Sequence, residues 1–299
     1  MEALNVSQLF HVFKNKLMKR IKKVKNGNEY ALTDENIWVR NFTKESVPYI
    51  DLNETISPAD CKLFTKNEIE NSCQKTTWID SEYTDESNII IVSDGYNFKE
   101  KQKILNNLPK DICIIGVNGS LYRWENISRN INYYVVNNPY SECLKYLPKK
   151  QRVLPKCIAS PRTNSEFIKN YKGTKYKYYP VNEKSYSTLG SKEVRWQIDD
   201  YRNPICAAIG LAYKFNVVNL LLLFCDDSFD KERAGSVQLE NKLWAYPQQK
   251  IASSIIDANL YWLKSQKYQE VNIGNCSSGY NLQNANNIKE EDIISFFRN

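Results

Sequence analysis

Two adjacent carboxylates, Asp226 and Asp227, follow an apolar run in "NLLLLFCDD", and a long charged loop that ends in Trp244 and Tyr246 follows them. An all-apolar run of strand length reads as a strand covered on both faces, and the carboxyl ends of such strands are where open α/β sheets bind ligands. Asp226 and Asp227 are therefore the candidate catalytic pair. They could hold Mg²⁺, which takes a few carboxylates together with waters and substrate phosphates; a polar strand end that caps the next turn is the plainer alternative. The loop over 228–247 has the length of a lid, with Arg233 on the acceptor side and Trp244 and Tyr246 as rings that could stack on a flat heterocycle.

Three earlier apolar runs end in the same manner. "IVSDGYNF" places Ser93, Gly95 and Asn97 at a turn into a Lys-rich helix, where glycine lets the backbone approach an anion and the helix start offers N–H groups. An ordinary tight turn explains one glycine equally well. "IIGVNGSL" puts Asn118 and Gly119 at the second end, and "YYVVNNPY" puts Asn137 and Asn138 at the third. Together these polar ends would line a crevice along one edge of a sheet. In "DDYRNPICAAIGLAYKF", Asn203 suits a helix N-cap and Pro204 the first helical position. Arg202 beside that start binds a phosphate or pairs with Asp199 or Asp200.

Behind these residues, short apolar strands alternate with helical stretches from Asn88 onward. That alternation predicts an α/β fold, a mostly parallel Rossmann-like sheet with helices on both faces. Ahead of it, Phe10, Phe13, Leu17, Ile21 and Val24 recur at spacings of three and four, which predicts a basic amphipathic helix within residues 1–26. Residues 27–85 read as a small irregular N-terminal cap, and 86–299 as the α/β nucleotide-binding, transferase-like domain.

The net charge of +7 is concentrated in "KNKLMKRIKKVK", where seven of twelve residues are basic, so the remainder is nearly neutral and a general nucleic-acid binder is disfavoured. Residues 9–25 would either pack on their own domain or a neighbouring subunit of an oligomer, or meet an anionic surface or protein partner. Eight cysteines without a CxxC pair argue against zinc and against a disulfide framework. With no leader-like start and no apolar run approaching 18 residues, a cytoplasmic protein is expected. His11 is the only histidine, so a base in the α/β region must be a carboxylate, Tyr, Lys or Cys.

The ordered series "NIIIVSDGYNF", "DICIIGVNGSL", "INYYVVNNPY" and "NPICAAIGLAYKFNVVNLLLLFCDDSF" resembles the hydroxymethyl-dihydropterin pyrophosphokinase-like domain, shared by pterin enzymes and motility-associated glycosyltransferases and similar in fold to bacterial sialyltransferases. The resemblance spans roughly 86–280 and implies a nucleotide site at Gly95, Asn97, Asn118 and Asp226. Asn118 and Asn138 stand where the family often has acids, and Phe224 where it has Gly. The expected function is a nucleotide-dependent transferase, first an Mg-ATP pyrophosphokinase acting on a pterin-like hydroxymethyl acceptor. The alternatives are a glycosyltransferase using a nucleotide sugar and a non-catalytic assembly protein that docks through its basic helix.

Overall fold

The computed structural model describes residues 18–25, 28–33, 38–40, 58–79, 84–95, 98–124, 127–148, 153–180, 197–198, 200, 203–225, 253, 255–265, 270–277 and 282–298. The α/β expectation holds. Nine strands form one all-parallel sheet: β4 (Thr77–Trp78), β5 (Asn88–Val92), β6 (Cys113–Val117), β7 (Tyr133–Val136), β8 (Lys156–Ala159), β9 (Lys175–Lys177), β12 (Asn219–Leu223), β13 (Asn272–Cys276) and β14 (Asn286–Asn287). Their order is β14-β13-β12-β5-β6-β7-β8-β9-β4. A short parallel pair, β10 (Tyr179–Pro180) with β11 (Gln197–Ile198), stands apart from it.

After an initial Asn, the central strands β5 and β12 are apolar because both faces are covered. In β5, Ile89 and Ile91 enter one core while Ile90 and Val92 enter the other; in β12, Leu220 and Leu222 oppose Leu221 and Leu223 in the same way. All eight are at most 1% exposed, and each buried Ile or Leu contributes on the order of 2 kcal/mol. One core takes the Pro204–Lys214 helix and helical residues 255–265; the other takes the Phe98–Lys101, Lys103–Asn106, Ser165–Asn170 and Ile293–Phe296 helices. Gly210 lets the Pro204–Lys214 helix lie against β11, since a Cβ there would come within 2.7 Å of Ile198 Cγ2.

Chain direction around the sheet locates its functional edge. From β5 the chain steps outward through β6, β7, β8 and β9, then returns to place β12 on the other side of β5 before continuing to β13 and β14. The order reverses between β5 and β12, and in doubly wound sheets the crevice opens beyond the carboxyl ends of that pair.

Two departures from the sequence reading lie in the N-terminal part. Residues 18–25, expected as the end of the basic helix, are strand β1 (Met18–Lys25), paired antiparallel with β2 (Asn28–Thr33), which pairs in turn with β3 (Trp38–Arg40). Lys25 pairs with Asn28, so Asn26-Gly27 separates the strands. Asn-Gly is the strongest short-range hairpin signal, and it prevails over the spacing of Ile21 and Val24. The rest of that helix, residues 4–17, and His11 lie outside the described residues.

The second departure is in the segment read as an irregular cap. It contains a 15-residue helix, Pro58–Ser72, and β4, which pairs with β9 and so edges the main sheet. The helix is seated by amides rather than by an apolar stripe. Asn67 Nδ2 donates to the carbonyls of Pro139 (3.0 Å) and Arg162 (3.1 Å), and Asn71 Nδ2 donates to those of Pro161 (2.8 Å) and Thr163 (2.7 Å). Hydrophobic periodicity has no purchase on such a seat.

Candidate functional site

At the switch point the segments that follow β5 and β12 are tied together by backbone hydrogen bonds. Ser93 N donates to Leu223 O at 3.1 Å, and Gly95 N donates to Phe224 O at 3.0 Å. Phe224 has φ 56°, inside the left-handed region that favours glycine. Its ring is 3% exposed and meets the ring of Phe98 edge-on at 5.2 Å, so burial holds a conformation that costs about 1–2 kcal/mol in isolation.

Asp94, between Ser93 and Gly95, is 4% exposed, and its carboxylate lies 4.0 Å from Arg123 Nε. Arg123 ends the Ser120–Arg123 helix that follows β6, so the ion pair joins the segments that follow β5 and β6. Neither residue was among the sequence candidates. The signal was present: Asp94 directly precedes the glycine of "SDGYNF", and Arg123 closes "NGSLYR".

Beyond β6, Asn118 also has a left-handed φ of 41°. Its N–H donates to Val135 O (3.1 Å) and its carbonyl accepts from Tyr134 Oη (2.6 Å), while its side-chain Oδ1 is buried and makes no hydrogen bond among the described residues. At the neighbouring end of β7, Asn137 is 9% exposed and its Nδ2 is likewise buried without a partner among the described residues. A buried polar group left unsatisfied costs about 1–3 kcal/mol, and an acceptor and a donor at adjoining strand ends are what a polar ligand would satisfy. Ser120 Oγ is different: it packs where a Cβ on Gly116 would sit, 2.8 Å away, so it faces the sheet.

The other sequence candidates are placed as follows. Ser93 and Gly95 are buried at the switch point, and Gly119 precedes the short helix after β6. Asn138 Oδ1 accepts from Tyr140 N at 2.9 Å and so serves its own turn. Asn203 is the N-cap foreseen for it, accepting from Ile205 N at 2.8 Å, with Pro204 as the first helical residue. Nearby Asp200 is 4% exposed and accepts from Tyr178 Oη at 2.5 Å. Cys225 is buried, its N–H donating to Ser277 Oγ at 2.8 Å, which ties the ends of β12 and β13. Asn97, Arg202, Asp226, Asp227, Arg233, Trp244 and Tyr246 lie outside the described residues. Among the described residues no group of three or more His, Cys, Asp or Glu is arranged to hold a metal ion, and no helix is long and apolar enough to cross a membrane.

The strand order and the polar residues at its reversal define a doubly wound α/β protein with a polar switch point. No known family matches the chain, and neither does any curated protein. Among solved structures it is similar to a MAf glycosyltransferase from Magnetospirillum magneticum AMB-1, with a TM-score of 0.58 at 11% identity over 77% of this chain. The match covers 38% of that protein's length, and at this identity the similarity is one of fold.

Proposed function

We propose that the chain is a transferase that binds a nucleotide sugar across the carboxyl ends of β12, β5, β6 and β7 and passes the sugar to an acceptor hydroxyl. The observation that carries the proposal is the pair of unpartnered buried groups, Asn118 Oδ1 and Asn137 Nδ2, beside the hydrogen-bonded switch point. The fold shared with the MAf glycosyltransferase favours a sugar over a diphosphoryl group as the transferred unit.

In this reading Asn118 and Asn137 satisfy polar edges of the nucleotide. Asp94, held by Arg123, accepts the proton of the acceptor hydroxyl. The acceptor oxygen bonds to the anomeric carbon as the bond to the phosphate oxygen breaks, and the electron pair leaves with the nucleotide. Asp226 and Asp227 would hold Mg²⁺, which when bound offsets charge on the departing phosphates.

The test is nucleotide release. Incubated with UDP- and CMP-sugars, the protein should free UDP or CMP, and Asp94→Asn should slow this at least a hundredfold with little change in KM. AMP formed from ATP in the presence of a hydroxymethylpterin would instead favour the pyrophosphokinase. Neither release would remove the transferase reading.

A further inference from the structure

A second concavity lies far along the sheet, toward its β4 edge. It is a cavity of about 400 Å³ between the Pro58–Ser72 helix, Ile168 and the edge formed by β8, β9 and β4. Four strand spacings separate β5 from β9, roughly 19 Å. Its occupant is therefore distinct from whatever the switch point holds, and the inference does not rest on the transferase reading.

Its lining combines a ring-shaped wall with one cation. Trp78 and Tyr179 lie with ring centroids 6.0 Å apart, and Tyr176 adds a third ring. The ammonium of Lys177 sits 4.6 Å from the centre of the Trp78 ring. Burial holds its pKa below the ordinary lysine value, and no carboxylate among the described residues pairs with it. Glu68, the carboxylate of the lining, is already engaged by Arg162 Nε at 2.5 Å. Two hydroxyls complete the set. Among the described residues Thr76 Oγ1 is buried without a hydrogen bond, and Ser160 Oγ accepts from Arg162 N at 3.3 Å, which leaves its own hydrogen to donate.

A partly desolvated cation with an aromatic wall and no counter-ion among the described residues is stabilised by a ligand that brings both an anion and a flat face. We propose that this cavity binds a small planar ring compound bearing one negative charge, the ring against Trp78 and Tyr179 and the anionic group on Lys177. A neutral ring of the same shape gains only the stacking.

The probes are 2-naphthoate and its neutral counterpart 2-naphthylmethanol, titrated calorimetrically into the full chain. The carboxylate should bind at least tenfold more tightly than the alcohol. Lys177→Met should remove that advantage and leave the alcohol's affinity within twofold, whereas Asp94→Asn at the switch point should change neither. Because Lys177 also covers Trp78, Thr76→Val is the second variant, expected to weaken naphthoate binding at least threefold at an unchanged melting temperature. Equal affinity for the two probes, no binding of naphthoate, unchanged binding in both variants, or loss on Asp94→Asn would each overturn the proposal.

Discussion

Replacing Phe224 separates two effects that usually act together. Its ring is 3% exposed and packed on Phe98, and truncating such a residue to alanine costs about 3–5 kcal/mol. Its backbone, at φ 56°, carries a left-handed penalty of about 1–2 kcal/mol that alanine keeps and glycine removes. Glycine adds about 0.5–1 kcal/mol of chain entropy to the cost of folding. Phe224→Gly should therefore lose roughly 3 kcal/mol, and Phe224→Ala roughly 0.5–1 kcal/mol more, reversing the usual preference for alanine. Urea titration followed by circular dichroism reads both. With a slope near 3 kcal/mol per molar, the glycine variant should unfold about 1 M earlier than the parent and the alanine variant earlier still. An alanine variant as stable as the glycine variant, or more so, would refute the reasoning that burial sustains a strained turn at the switch point.

Other changes test the packing and ionisation around this frame. Gly116→Ala brings a Cβ to 2.8 Å from Ser120 Oγ and 3.0 Å from Ile131 Cδ1, so it should cost about 1–3 kcal/mol in urea titration, with part recovered by adding Ser120→Ala. Cys73 is exposed and should react with an aromatic disulfide reagent before Cys113, Cys143, Cys157, Cys206, Cys225 and Cys276. Cys276, pushed up to about 11 by burial and then by Glu290, should react about tenfold faster per pH unit from pH 8 to 10; a plateau in that range would contradict its burial. Burial also raises the pKa of Asp257, although Asn284 N donates to its Oδ1 at 2.8 Å. The folded state then holds that proton more tightly, so the stability this group contributes is present in acid and lost as pH rises through its folded pKa. Asp257→Asn should accordingly melt higher than the parent at pH 7, with the gap closing in acid, and a lower melting temperature at pH 7 would count against it.

What could be read from the sequence was whatever the core dictates. Continuous apolar runs announced β5, β6, β7, β8 and β12, because strands covered on both faces leave no polar alternation to confuse. Asn203-Pro204 announced its helix through capping chemistry, which is local. The Pro58–Ser72 helix was illegible because Asn67 and Asn71 seat it on carbonyls that come from residues 139–163, a long-range arrangement with no periodic trace. At Ser93, Gly95 and Asn118 the sequence showed where strands β5 and β6 end. Asp94 and Arg123 were passed over because their pairing appears only when β5 and β6 lie side by side. The left-handed turn at Phe224 hid for a different reason: sequence rules assign that conformation to glycine, and here burial of the ring sustains it.

The central claim is that a nucleotide sits on the strand ends at the switch point. Its most direct test is calorimetric titration of UDP, CDP, CMP and ATP, with and without Mg²⁺, into the parent protein and into Asn118→Ala, Asp226→Asn and Lys177→Met. The account predicts that a pyrimidine nucleotide binds, that Asn118→Ala weakens it about threefold to tenfold through the lost hydrogen bond, that any gain from Mg²⁺ disappears in Asp226→Asn, and that Lys177→Met leaves it unchanged. Binding by none of the four nucleotides, or binding lost in Lys177→Met and kept in Asn118→Ala, would contradict it.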